Sequence, residues 1–170
     1  MNRKLIVGGA GVVLAAGIGL AIATGSGGSA TGGYGGTPST TTPPGNGTAA
    51  AAVTTAKTGL GQILVDGRAR TLYLFEADPP ARSTCDNACA SVWPPLTTTG
   101  TPQAGGGALA GQLGVLHRGD GTTQITYHGH PLYRYAGDTQ PRATNGQGLD
   151  QFGAEWYVLA PSGNKIDNGG

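Results

Sequence analysis

Leu72-Tyr73-Leu74-Phe75-Glu76-Ala77-Asp78 returns as Leu132-Tyr133-Arg134-Tyr135-Ala136-Gly137-Asp138. Both copies read Leu-Tyr-x-aromatic-x-x-Asp, with the two tyrosines about 60 residues apart. Upstream of each copy an Ile stands four places before a Gly: Ile63 and Gly67, then Ile125 and Gly129. An internal duplication constrains the architecture before any residue is given a role. Here it implies one small β-rich unit built twice.

Working outward, residues 52–57, 62–65 and 71–76 read as short strands. They are broken at Thr58-Gly59 and at Asp66-Gly67, and Asp-Gly between apolar segments is a strong hairpin signal. The second copy reads alike: 113–118, 124–127 and 132–136, broken at Gly119-Asp120-Gly121 and His128-Gly129. A last strand over 155–160 is carried by Trp156-Tyr157-Val158-Leu159 and stopped by Pro161. The expected fold is mainly β: two tandem three-stranded antiparallel meanders packed as one domain. The units cover about 50–96 and 112–163. Between them, Asp86, Asn87 and 88–92 read as a short helix carrying Cys85 and Cys89, ended by Pro94-Pro95, and 97–111 as a loose Gly/Thr-rich connector.

The N-terminal third is built differently. Arg3 and Lys4 precede an uncharged run over 5–23. As a helix that run would reach roughly 28 Å, close to a bilayer core. Basic residues ahead of it keep the N-terminus cytoplasmic, so the chain beyond the run is exported. Two readings stay open: a signal peptide cleaved after Ala21-Ile22-Ala23, or an uncleaved anchor. No cysteine stands near the end of the run, which excludes lipid attachment at that point. Residues 24–49 are Gly, Ser, Thr and Pro almost throughout, too poor in apolar surface to offset chain entropy. They read as a disordered tether. The remaining residues, 50–170, are long enough for one domain with its own core. A net charge of +1 and the lack of a basic stripe argue against nucleic acid as a partner.

The doubled Tyr-x-aromatic-x-x-Asp pattern does not stand alone. It is joined to Cys85-x-x-x-Cys89, Trp93-Pro94-Pro95 and Gly146-Gln147-Gly148 ahead of Trp156-Tyr157-Val158. Together these resemble a bacterial family of secreted repeats of unknown function, whose members are often described as lipoproteins. The resemblance covers roughly residues 61–163. It implies an exported envelope protein with tandem repeats and carries no established activity. The cysteine a lipoprotein needs after its signal is missing, so lipid anchoring does not transfer.

The candidate chemistry is sparse. Cys85 and Cys89 are the only cysteines. In an exported protein an even count favours a structural disulfide, and the spacing of four puts both on one helical face. The sharper alternative is copper binding or thiol redox chemistry, with Cys85 and Cys89 joined by His128 and His130. His-x-His in a turn can chelate a metal, although turn histidines are usually solvated; His117 lies in another hairpin. Asp78 and Asp138, at equivalent positions just past strand ends, read as separate turn caps rather than as a paired acid/base site. Within the repeat, Tyr73 and Phe75, like Tyr133 and Tyr135, share a strand face and can stack as core. Trp93, Trp156, Tyr73, Tyr133 and Tyr157 offer a sugar-stacking groove only if they are exposed. No nucleophile elbow, phosphate loop or zinc-protease motif occurs, so no catalytic residue and no cofactor is expected. The leading expectation is a non-enzymatic binding or structural protein of the cell envelope. Cell-wall glycan or another envelope protein is its candidate partner, and the N-terminal segment is its only membrane contact.

Overall fold

The computed structural model describes residues 50–167. The signal or anchor expected at 1–23 and the tether at 24–49 lie outside the described residues. Among the described residues no helix is long and apolar enough to cross a membrane. In chain order the elements are β1 (Ala52–Thr58), β2 (Gly61–Asp66), β3 (Tyr73–Phe75), α1 (Ala88–Val92), β4 (Gln103–Ala104), β5 (Leu113–His117), β6 (Thr123–Tyr127), β7 (His130–Pro131), β8 (Leu149–Gln151) and β9 (Ala154–Val158). A single 3-10 turn, Ala110–Gln112, leads into β5.

The expected hairpins form. β1 pairs with β2 from Val53↔Asp66 to Thr58↔Gly61, and β5 pairs with β6 from Leu113↔Tyr127 to His117↔Thr123. The expected helix forms as α1, but it begins only at Ala88, so it carries Cys89 and leaves Cys85 and Asp86 in the loop before it. The meanders, however, do not close on themselves. In the first unit the chain stays beside β2 only as far as the Val65↔Thr71 bridge and the Leu72 N–H bond to the Leu64 carbonyl. It then crosses over, and β3 pairs with β9 of the second unit: Tyr73↔Val158, Leu74↔Tyr157, Phe75↔Trp156. In the second unit β7 likewise stays beside β6, and the next residues turn toward the first unit. The sheets are therefore β2-β1-β4, β3-β9-β8 and β5-β6-β7, and one of them is shared between the copies.

The connector 97–111 is more ordered than its composition implies. Its β4 adds to β1 in parallel, and Thr97 bridges Gln124. The last strand, β9, is the second arm of an unexpected hairpin with β8, in which Gln151 lies opposite Ala154. The hairpin's two-residue turn is Phe152-Gly153, and both residues have positive φ (61° and 95°). Such turns match sheet twist but favour Asn or Gly; a Phe there is an uncommon choice.

Tyr73 and Tyr133 mark the centre of the exchange. Each N–H donates to the other's carbonyl, at 2.9 and 3.0 Å. Around them the contacts come in matched pairs. Ala81 N–H donates to the Gly129 carbonyl, and Arg142 N–H donates to the Ala69 carbonyl. Leu96 inserts between Leu132 and Ile125 of the second copy, while Leu159 accepts from Leu64 of the first. A pseudo-two-fold relation between intertwined repeats accounts for all of these.

Candidate functional site

The repeat motif converges on that centre. Four rings stack in the order Phe75, Trp156, Trp93, Tyr135. Successive centroid separations are 4.2, 3.9 and 4.5 Å, and the two indoles are 3° from parallel. Tyr73 meets Trp93 edge-on at 5.3 Å, and Tyr133 meets Trp156 edge-on at 5.2 Å. Strand alternation puts Tyr73 and Phe75 on one face of β3 as expected, whereas the strand expected over 132–136 is reduced to isolated bridges at Tyr133, which is buried, with Tyr135 half-buried beyond it. The two pairs do not stack on each other directly, because Trp93 and Trp156 come between Phe75 and Tyr135. Gly146 has the role of a spacer here: a Cβ at that position would lie 2.8 Å from Trp93 Cη2 and 2.9 Å from Tyr73 Cζ.

The two aspartates do more than cap turns. Asp138 Oδ1 accepts from Asn145 N–H at 2.9 Å, and Asp78 Oδ1 accepts from Thr84 N–H at 2.7 Å, as local capping requires. The other oxygen of each carboxylate accepts from the tyrosine of the opposite copy. Tyr73 Oη donates to Asp138 Oδ2 at 2.6 Å, and Tyr133 Oη donates to Asp78 Oδ2 at 2.5 Å. A buried phenol needs a partner, and here each copy supplies it to the other. The expectation of separate caps does not contain this exchange. Its only signal in the sequence is the burial expected of both tyrosines.

Burial first, and then the facing carboxylate, pushes both Tyr73 and Tyr133 well above the usual phenol range. The unfolded phenols lose their protons near pH 10 while the folded ones keep theirs, so the unfolded state binds fewer protons in alkali. Stability from this source is complete below about pH 10 and is lost as pH rises beyond it. The denaturation midpoint is expected to fall between pH 9 and pH 11, and Tyr73→Phe should flatten that slope. A slope unchanged in Tyr73→Phe would exclude Tyr73 as its source.

Arg118 is a second residue the sequence left unmarked. Its side chain is buried, and its guanidinium donates to Ser83 Oγ, Gln124 Oε1, the Cys85 carbonyl and Asp86 Oδ1. Ser83 Oγ in turn lies 2.7 Å from Tyr133 Oη. The cation thus fixes the loop that presents Asp78 and the cysteines. Cys85 and Cys89 are disulfide-bonded with Cα atoms 5.2 Å apart, and both are buried.

Of the other sequence candidates, His130 borders this centre beside Asp78. His128 and His130 have ring centroids 6.4 Å apart, and His128 Nδ1 is held by Gln112. Burial, followed by repulsion from His128, holds His130 below the usual imidazole range, with Asp78 opposing. Among the described residues no group of three or more His, Cys, Asp or Glu side chains is arranged to hold a metal ion. His117 Nδ1 contacts Thr123 in the β5–β6 hairpin. All five aromatics considered for a sugar groove, Trp93, Trp156, Tyr73, Tyr133 and Tyr157, are buried, so that groove is not at the surface.

Several clefts open at the surface, the one of about 630 Å³ beside Thr98, Pro102, Leu113 and Val115 among them, and two border residues of the repeat motif. One of about 480 Å³ brings Asp78 and His130 together with Glu76 and Lys165, but Lys165 is tied to Glu76 at 2.5 Å. The other, about 400 Å³, lies beside the turn after β2 and is bordered by Leu96, Thr97, Arg68 and Arg134.

Neither the curated proteins nor the solved structures compared with this chain include a match. Comparison with protein families matches residues 54–97 and 114–160, one match for each copy of the repeat and together more than half of the chain. With its doubled unit so matched, the chain belongs to the family described as a secreted repeat of unknown function.

Proposed function

We propose that this protein works outside the cytoplasmic membrane as a non-enzymatic binding module of the cell envelope, its folded domain carried on the segment 24–49. One observation carries the non-enzymatic part. The tyrosines and aspartates of the repeat motif, Tyr73, Tyr133, Asp78 and Asp138, are hydrogen-bonded to one another across the two copies. Tyr73 and Tyr133 are fully buried and Asp138 nearly so, out of a substrate's reach. What such a domain offers a partner is its rigid surface. Family membership supports export, and a buried disulfide suits an oxidising compartment.

The test pairs location with thiol state. A C-terminal alkaline phosphatase fusion is expected to be active, and trapping of free thiols in the exported chain should find none. Cys85→Ala/Cys89→Ala should then lower stability by about 2 kcal/mol, the loop-closure value for so short a ring, read as a shift in the urea midpoint. An inactive fusion would overturn export. Reactive thiols with one-to-one copper uptake, abolished in Cys85→Ala, would overturn the binding-module reading in favour of a metal protein.

A further inference from the structure

The β8–β9 hairpin carries two features that work against its own stability. Phe152 sits at its tip with φ 61° and is 49% exposed, a large apolar ring in a left-handed turn. One register step behind, Asp150 stands directly opposite Glu155, both exposed, where like charges repel. Backbone strain of this kind gathers at functional sites.

The complementary surface lies on the same chain. Beside the turn after β2, the cleft of about 400 Å³ has Leu96 in its wall, and Asp66, Arg68 and Arg134 line it as well. Arg134 Nε is buried there without a hydrogen-bond partner, and Arg134 Nη1 reaches Asp66 only at 3.8 Å. Burial acts most strongly on Arg134, then attraction to Asp66, then repulsion from Arg70 and Arg68, so three arginines share one carboxylate at this end. The hairpin tip lies beyond the C-terminal end of β3, because Phe75 pairs with Trp156. The arginine turn lies before Thr71, at the opposite end of the same stretch.

We infer that the β8–β9 hairpin docks head-to-tail into the Arg68/Arg134 cleft of a second copy of this chain. Phe152 enters the cleft, and Asp150 and Glu155 face the arginines. Two tips meeting each other would bring four carboxylates together, so the contact joins unlike surfaces. Unlike surfaces that do not close into a ring extend into a chain of copies. The inference rests on the domain being a binding module and names its partner.

The test places the photo-reactive phenylalanine analogue p-benzoylphenylalanine at position 152 of the full chain, in cells that export it. Irradiation is expected to give a ladder of dimers and larger adducts. Mixed isotope labelling should show the adducts to be intermolecular, with the linkage mapping to peptides containing 66–68 or 96–97. The same analogue at Leu109, also exposed, should give no ladder. Arg68→Glu is expected to reduce the dimer yield by about tenfold or more, and adding Asp150→Arg should restore it. A 152 adduct with a different protein or with lipid would overturn the inference. So would dimers no more abundant than from position 109, or a dimer yield indifferent to Arg68→Glu. None of these outcomes changes the phosphatase and thiol results, so the two failures can be told apart.

Discussion

Trp93→Ala is expected to lower the free energy of unfolding by about 4 kcal/mol, the cost of truncating a large buried aromatic. Trp93 is fully buried and touches rings from both copies: Trp156, Tyr135 and Tyr73. Its removal opens a cavity at the centre of the exchange, where the neighbours are held by their own bonds and cannot collapse inward. The indole N–H bond to Gln151 Oε1 is lost as well, leaving that acceptor to water beside the turn of the β8–β9 hairpin. Urea titration of the exported domain measures the loss, and the solvent-exposed change Phe152→Asn serves as a control with little or favourable effect. A loss below about 1 kcal/mol, the range of ordinary surface changes, would mean that the indole stack does not hold the copies together.

Asp138→Ala is expected to cost about 3 kcal/mol, at the upper end for a buried polar group left without its partner. Two donors lose their acceptor at once, the Tyr73 hydroxyl and the Asn145 N–H. Asp78→Ala should cost less. Asp78 is only half-buried, so water can reach the groups it leaves, and Tyr133 Oη keeps Ser83. The double variant Asp138→Ala/Tyr73→Phe should be less destabilised than the sum of the two single changes, because the phenol stranded by the first is removed by the second. Strict additivity in that cycle would show that the two side chains do not act as a pair. An equal loss in Asp78→Ala and Asp138→Ala would contradict the difference in burial.

Much of the local structure was legible before folding. Asp66-Gly67 and Gly119-Asp120-Gly121 marked real turns, 88–92 formed the helix ahead of Pro94-Pro95, and Cys85 with Cys89 formed the disulfide. These features depend on contacts a few residues apart, which composition and spacing report directly. The exchange of strands was not legible. A strand such as 71–76 carries the same alternation whether it pairs with its own unit or with the other, because the side-chain period of two says which face is buried and not which neighbour covers the edge. The same limit hid the site. Asp78 and Asp138 looked like independent caps because nothing in the spacing says that Tyr133 and Tyr73 arrive from the opposite copy. Arg118 looked like an ordinary hairpin residue until the loop 83–86 closed over it.

The sequence by itself determined that one β-rich unit was made twice, and it favoured a core role for the aromatics of the repeat and a disulfide between the two cysteines over the alternatives it left open. Only the tertiary structure decided that the two units are interlocked, with each tyrosine held by the other unit's aspartate and the two indoles face to face between them. The reason is physical. Hydrophobic patterning is a property of neighbouring residues, whereas the partner of a buried phenol, or of a strand edge, is chosen by which distant surfaces can exclude water together.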